Sequence, residues 1–171
     1  MNVLKMARVL VGVFSPIYDG DNCAVPCFYE SFVDGLKSFG NNVLVFVFDK
    51  FSADFGGVPE NVKNSINEFN PDLCVFFNNT FYDISRMVEC PIVVYKVDSP
   101  MYYCNKKALK QRIDRYKFVV TQDLSVNELI DNFGVQKQNI INVPFFTEIK
   151  AKNENFKNNI SFFVGINHSV T

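Results

Sequence analysis

Histidine is nearly absent from this sequence, and several common ligand-binding motifs are missing altogether. The single histidine, His168, cannot supply a His/Cys zinc site, and a Ser-His-Asp triad would have to use that one residue. The chain contains no G-x-G-x-x-G sequence and no P-loop, which argues against a dinucleotide-binding Rossmann site. We therefore predict neither a metal nor a cofactor.

The sequence also lacks an excess of charge of one sign and a long apolar run. Its net charge is −1, and no basic stripe is present, which argues against a nucleic-acid partner. No apolar stretch approaches the roughly 20 residues of a membrane-spanning helix. One basic cluster has the pattern of a solvated helix face rather than a phosphate-binding patch, and it consists of Lys106, Lys107, Lys110, Arg112 and Arg115.

The cysteines indicate the compartment. The chain has five, an odd number, and no Cys-x-x-Cys pair occurs. The N-terminal apolar run is better explained as a first strand than as a signal peptide. These features predict a protein of the reducing cytoplasm.

Apolar residues make up 48% of the 171 residues and include 19 phenylalanines. They form continuous runs of strand length, separated by segments of helix length, as in strands covered on both faces. The pattern predicts an α/β fold with a doubly wound, mostly parallel sheet in a Rossmann-like three-layer α/β/α arrangement. The predicted strands are 7–14, 43–48, 73–77, 92–97, 118–121, 139–143 and 160–164, and the first four helices are about 24–39, 60–69, 83–88 and 104–114.

A fifth helix is predicted from its ends. Ser125 and Glu128 have the spacing of a capping box, and Gly134 follows the apolar face as a helix-stopping residue. Beyond it the composition changes, because residues 148–159 are polar and rich in Asn and Lys. We predict a first domain over 1–147, a linker over 148–159, and the first strand and turn of a second domain over 160–171.

Ligands of a doubly wound sheet gather beyond the carboxyl ends of its strands. The first strand is followed by Ser15 and by a turn at Asp19-Gly20. Asp19 could bind a sugar hydroxyl or act as a base, or it could be a plain turn residue. The third strand is followed by Asn78, Asn79 and Thr80. The amide side chains of the two asparagines suit a hydroxyl-rich ligand or a helix cap.

Two later strand ends also carry polar residues. The strand over 92–97 is followed by Asp98, Ser99 and Tyr102, the strongest candidate for a ligand-contact segment, although Asp98 could simply cap a turn. The next strand is followed by Gln122 and the start of the fifth helix. A helix N-terminus can bind an anion, but Ser125 or Asp123 could satisfy its N–H groups instead.

Four segments, in this order, resemble the N-terminal half of GT-B-type glycosyltransferases. They are 70–77 (NPDLCVFF), 91–100 (PIVVYKVDSP), 118–123 (FVVTQD) and 143–147 (VPFFT). The nearest group is the bacterial CgeB-like and surface-polysaccharide members. The terminal 160–165 run resembles the first strand and glycine turn of their second, nucleotide-sugar-binding half.

The resemblance implies an enzyme that transfers a sugar from a nucleotide-sugar donor to a glycan or lipid-linked acceptor held between two domains. It leaves open a peripheral association with the inner membrane surface. It implies that Asp19 and Asp98 are catalytic, and that Gly165, Asn167 and His168 begin the donor-phosphate loop. The implied substrate-binding residues are Ser15, Tyr18, Gly20, Asn78, Asn79, Thr80, Ser99, Tyr102 and Gln122.

The sequence departs from this family after residue 171, where the remainder of a donor-binding domain would follow. We therefore expect the chain alone not to transfer sugar. One alternative is a non-catalytic flavodoxin-like binding or regulatory module, although a receiver domain would have a phosphorylatable Asp where Asn78-Asn79 stands. Another is an interaction subunit that pairs with a separately encoded catalytic half.

Overall fold

Strands and helices alternate along the chain as the apolar pattern predicts. The computed structural model describes residues 6–14, 18–19, 22–23, 27–48, 59–96 and 106–143. The strands are β1 (Arg8–Phe14), β2 (Tyr18–Asp19), β3 (Asn22–Cys23), β4 (Asn42–Phe48), β5 (Leu73–Phe77), β6 (Ile92–Lys96), β7 (Tyr116–Val120) and β8 (Ile140–Asn142). The helices are α1 (Cys27–Ser38), α2 (Glu60–Phe69), α3 (Tyr82–Met87), α4 (Lys106–Gln111) and α5 (Asp123–Phe133), with single 3-10 turns at Ile113–Arg115 and Lys137–Asn139.

Six of the strands form one parallel sheet in the order β4-β1-β5-β6-β7-β8. The chain moves from β1 to β4 on one side and then crosses back to β5 on the other. The strand order therefore reverses between β1 and β5, which makes the gap beyond their carboxyl ends a topological switch point. Separately, β2 and β3 pair as a short antiparallel hairpin.

The helices cover the sheet from two sides. Apolar residues of α1 pack with Val9, Val11 and Val75 on one face. On the other face, α2, α3, α4 and α5 each contribute a buried side chain, namely Ile66, Ile84, Leu109 and Leu129. Right-handed crossovers produce this arrangement when the chain first moves to one side of β1 and then to the other. The predicted Rossmann-like three-layer α/β/α fold is thus confirmed.

The end of β5 links both layers of the core. Phe76 lies in the cluster on the α2–α5 face, whereas Phe77 lies in the cluster on the α1 face. Gly12 of β1 is paired with Phe76, and a Cβ added there would lie 2.8 Å from Phe76 Cδ1 and 3.2 Å from Phe81 Cε2. The absence of a side chain at Gly12 therefore makes room for the ring of Phe81 over β1.

The predicted capping box of α5 is wrong. The helix begins at Asp123, and within the described part of the chain the preceding residue, Gln122, makes no side-chain capping bond. Ser125 lies inside the first turn, where its hydroxyl accepts a hydrogen bond from Lys96 instead. The other end agrees with the prediction, because Gly134 adopts a left-handed conformation with φ of 72° directly after the helix.

The basic cluster is only partly a solvated helix face. Arg112 and Arg115 both donate to the carbonyl oxygen of Ser85, and Arg115 also donates to those of Val88 and Cys90. These two guanidinium groups bind α3 and the segment after it to the turn before β7. Both guanidinium groups are therefore hydrogen-bonded to backbone carbonyl oxygens within the fold.

No helix among the described residues is long and apolar enough to cross a membrane. The predicted linker over 148–159 and the strand over 160–164 lie outside the described residues. The division into domains therefore remains a prediction.

Candidate functional site

Three polar residues follow β5 at the carboxyl end of the sheet, beside the switch point. Asn78, Asn79 and Thr80 are 5%, 1% and 0% exposed, so the loop is part of the protein interior. The Asn78 N–H donates to the carbonyl oxygen of Tyr95 at 3.0 Å, which extends the ladder with β6 by one bond. The strand-exit rule predicted these residues, and the structure adds their burial.

The backbone of this loop is held in an unfavourable conformation. Asn78 has a φ of 54° and Phe81 a φ of 39°, both in the left-handed region that side chains with a Cβ disfavour. The loop is stabilised from two directions. Asn79 Oδ1 accepts a hydrogen bond from the Phe81 N–H at 2.9 Å. The centroid of the Phe81 ring lies 5.0 Å from that of Phe76 and 5.4 Å from that of Phe46.

Two atoms of the loop are buried without a hydrogen-bond partner among the described residues. They are Nδ2 of Asn79 and Oγ1 of Thr80. Because the Phe81 N–H can only donate, it fixes Asn79 with the amide oxygen toward the backbone and the nitrogen turned away. Leaving such groups unpaired costs about 1–3 kcal/mol each, so native sites of this kind usually bind water or a ligand.

The backbone of Thr80 is fixed by a different partner. The hydroxyl of Tyr116 donates to the Thr80 carbonyl oxygen at 2.9 Å, and the Tyr116 side chain is fully buried. Burial raises the pKa of Tyr116 to about 12, so the hydroxyl stays protonated and keeps donating over the physiological range. Thr80 is thus anchored through its main chain, while its buried hydroxyl has no partner among the described residues.

A buried lysine at the same end of the sheet escaped the sequence analysis. Lys96 is the last residue of β6 and is 1% exposed, and its Nζ donates to Ser125 Oγ at 2.5 Å. The signal was present, since a lysine stands in an otherwise apolar strand two residues before Asp98. It was missed because only residues after each strand were considered. Lys96 thus places a buried amino group on the strand next to the one that Asn78 follows.

The remaining predicted site residues are only partly tested. Gln122 lies at the carboxyl end of β7 with its side chain exposed. For Tyr18 and Asp19 the backbone is described, and they pair with Cys23 and Asn22 in the β2–β3 hairpin. Eight residues lie outside the described part of the chain: Ser15, Gly20, Asp98, Ser99, Tyr102, Gly165, Asn167 and His168.

A metal site and a surface groove are two other kinds of candidate site. Within the described ranges no group of three or more His, Cys, Asp or Glu side chains lies close enough to hold a metal ion. A groove of about 380 Å³ runs along α1 and is lined by Glu30, Asp34 and Lys37 together with apolar residues. Of the predicted site residues that the structure describes, none lines this groove.

Neither a family model nor a curated protein matches the chain. Among solved structures, the chain is similar to the Anabaena protein HepE in complex with UDP and glucose, at 15% identity and a TM-score of 0.43. The alignment covers 81% of this chain and 44% of that one, so the chain spans less than half the length of the HepE structure. A likeness at this level assigns no function and no residue roles.

Proposed function

We propose that this chain is the acceptor-side domain of a GT-B-type glycosyltransferase and binds a hydroxyl-rich acceptor at the carboxyl end of its sheet. The observation that carries the proposal is the pair of buried atoms, Asn79 Nδ2 and Thr80 Oγ1, which no described residue bonds at the switch point. The order of the four sequence segments that resemble this family supports it.

The chemistry of the two groups suits a sugar. A hydroxyl both donates and accepts, and so does Thr80, whereas the Asn79 nitrogen can only donate. An acceptor hydroxyl could therefore receive a bond from Asn79 and exchange one with Thr80. A few such groups within apolar surroundings are typical of a site that fixes the orientation of a small ligand.

In this proposal the reaction needs more than the described residues. Asp19 or Asp98 takes the proton of the acceptor hydroxyl, which then attacks the sugar carbon while the nucleotide leaves. The nucleotide-sugar donor is bound by a second domain that starts at residue 160, with Gly165 in its donor-phosphate loop. The same proposal makes the acceptor a glycan or a lipid-linked sugar, places the domain in the cytoplasm, and leaves the chain inactive alone.

The proposal is tested by binding, because binding needs only this domain. Chemical-shift changes in NMR spectra of the full chain would be followed during titration with a panel of mono- and oligosaccharides. We expect a weak complex with a Kd of about 1 mM. Thr80→Val, which keeps the shape but removes the hydroxyl, should weaken it about tenfold if one hydrogen bond of about 1.4 kcal/mol is lost.

The matched control is Thr121→Val, the same substitution at the exit of β7. It should leave the affinity unchanged. The proposal is wrong if no sugar of the panel binds, or if the wild type and Thr80→Val bind with equal affinity.

One observation favours a second candidate, a flavodoxin-like binding module. The order β4-β1-β5-β6-β7 is the flavodoxin-type order, in which the switch point between the first and third strands of the sheet binds a flavin nucleotide. Titration with flavin mononucleotide, followed by quenching of its fluorescence, separates the two candidates. Binding of the flavin without binding of any sugar would favour this second function.

A further inference from the structure

Two cysteine thiols are in contact at the amino end of the sheet, opposite the candidate site. Cys74 is the second residue of β5 and is fully buried, and Cys90 lies half-buried in the turn before β6. Their sulfur atoms are 3.5 Å apart. Both are free thiols in this structure.

The contact is fixed by the surrounding backbone. The Cys74 N–H donates to the Pro91 carbonyl oxygen at 3.0 Å, and Cys74 is in register with Ile92. Arg115 holds the segment before β6, because it donates to the carbonyl oxygens of Cys90 at 3.0 Å and of Val88 at 2.7 Å. The sheet therefore fixes the position of Cys74, and the Arg115 guanidinium group fixes the position of Cys90.

The two thiols differ in reactivity. The hydrogen bond from the Cys74 thiol lowers the pKa of Cys90, and the positive charge of Arg115 acts in the same direction. The same hydrogen bond and burial raise the pKa of Cys74. Cys90, which is the more accessible of the two, is thus the nucleophile, and Cys74 is its protonated neighbour.

We infer that Cys74 and Cys90 form a peroxide-sensitive dithiol that closes into a reversible disulfide. The Cys90 thiolate attacks one oxygen of hydrogen peroxide, the O–O bond breaks, and hydroxide leaves to give a sulfenic acid. Cys74 sulfur then attacks Cys90 sulfur, the S–O bond breaks, and the proton of Cys74 leaves with the hydroxide as water. The two thiols lose two electrons in total, which reduce the peroxide to water.

The geometry needs only a small adjustment. The sulfur atoms must approach from 3.5 Å to about 2.05 Å, which is within reach of side-chain rotation and a slight shift of the turn. The closed loop would contain Asn78, Asn79, Thr80 and all of α3. Oxidation would therefore tie together the segment that carries the candidate site, whatever ligand that site binds.

The test uses the full chain, reduced and then treated with hydrogen peroxide. Peptide mapping by mass spectrometry should find the peptides of Cys74 and Cys90 joined, with the loss of two hydrogens and reversal by dithiothreitol. The oxidised protein should melt at a higher temperature than the reduced one, because the crosslink restricts the unfolded chain. In Cys74→Ala, the dimedone reagent should label Cys90 as a trapped sulfenic acid.

Matched variants distinguish this pair from the other cysteines. Cys90→Ser should abolish the crosslink, and Cys104→Ser should leave it unchanged. Phenylarsine oxide, a reagent that binds two neighbouring thiols, provides a second measurement on the reduced chain and should be retained by the wild type but not by Cys90→Ser. The inference is overturned if peroxide leaves Cys74 and Cys90 without a crosslink to each other, or links either of them to a different cysteine. Failure of the reduced wild type to retain the arsenical would also contradict it.

Discussion

The polar groups at the two ends of β5 differ in their hydrogen bonding. At the amino end, Asp72 accepts bonds from the backbone and guanidinium N–H groups of Arg8, and Arg115 serves three carbonyl oxygens. At the carboxyl end, Asn79 Nδ2 and Thr80 Oγ1 are buried with no bond to any described residue. The polar groups at the amino end are thus paired within the fold, whereas two buried polar atoms at the carboxyl end have no partner among the described residues.

The largest effect is expected at the amino end. Arg115→Met keeps the apolar stem but leaves the partly buried carbonyl oxygens of Val88 and Cys90 without their charged donor, and that of Ser85 with Arg112 alone. We therefore expect unfolding to become easier by about 3 kcal/mol. Urea denaturation measures this change. Arg86→Met, at an exposed position of α3, is the control and should change stability by less than about 0.5 kcal/mol. Equal effects of the two substitutions would remove the contrast between the ends.

A smaller loss is expected from Gly12→Ala. The added methyl would meet the rings of Phe76 and Phe81 at 2.8 and 3.2 Å, and overpacking of this kind costs about 2 kcal/mol. The Phe81 N–H donates to Asn79 in the loop that contains Asn78, Asn79 and Thr80. A shift of the Phe81 ring should therefore also change the amide resonances of Asn79 and Thr80 in NMR spectra. Gly35→Ala is the matched control. It has open space around it within α1, so it should stabilise the protein by about 0.5–1 kcal/mol, the opposite sign.

A third effect depends on pH. The pKa of Tyr116 is raised by burial to about 12, against about 10 in an unfolded chain. Its stabilising contribution is therefore fully present below pH 10 and is lost as the pH rises through 12. Tyr116→Phe should cost about 1 kcal/mol at pH 8 through the lost bond to Thr80, and this deficit should shrink above pH 10. Urea titrations at pH 8 and pH 11 measure it, with Tyr82→Phe as the control. A deficit that is the same at both pH values would contradict the assignment.

The smallest effect is expected at the carboxyl end itself. Thr80→Val removes a buried hydroxyl that no described residue bonds, so the free energy of unfolding should stay within about 0.5 kcal/mol of wild type or rise slightly. Urea denaturation without added ligand is the measurement. A loss of more than about 1 kcal/mol would mean that the hydroxyl already has a partner within the protein.

Much of the fold could be predicted from the sequence, because continuous apolar runs of strand length leave few alternatives. The predicted strand boundaries differ from the observed ones where an apolar run is interrupted. Strand β7 was predicted from 118 but starts at Tyr116, because Lys117 breaks the run. Its side chain is exposed while those of Tyr116 and Phe118 are buried. The start of this strand therefore shows alternating burial rather than the continuous apolar run from which the strand was predicted.

The site could be predicted only in position. Strand-exit reasoning found Asn78, Asn79 and Thr80, but their conformation depends on Phe81, whose ring needs the space left by Gly12, far away in sequence. The capping box failed for a similar reason. The Ser125 hydroxyl is used by Lys96, 29 residues away, and no local pattern contains such a contact.

The consecutive rings of Phe76 and Phe77 have a consequence for how the domain could transmit change. Phe76 lies in the core cluster on the α2–α5 face and Phe77 in the cluster on the α1 face, and these two residues directly precede Asn78. The main chain that leads into Asn78 is therefore anchored in the core on both sides of the sheet. Substitutions in either core layer that alter the packing of Phe76 or Phe77 are expected to change the conformation of the Asn78–Thr80 loop.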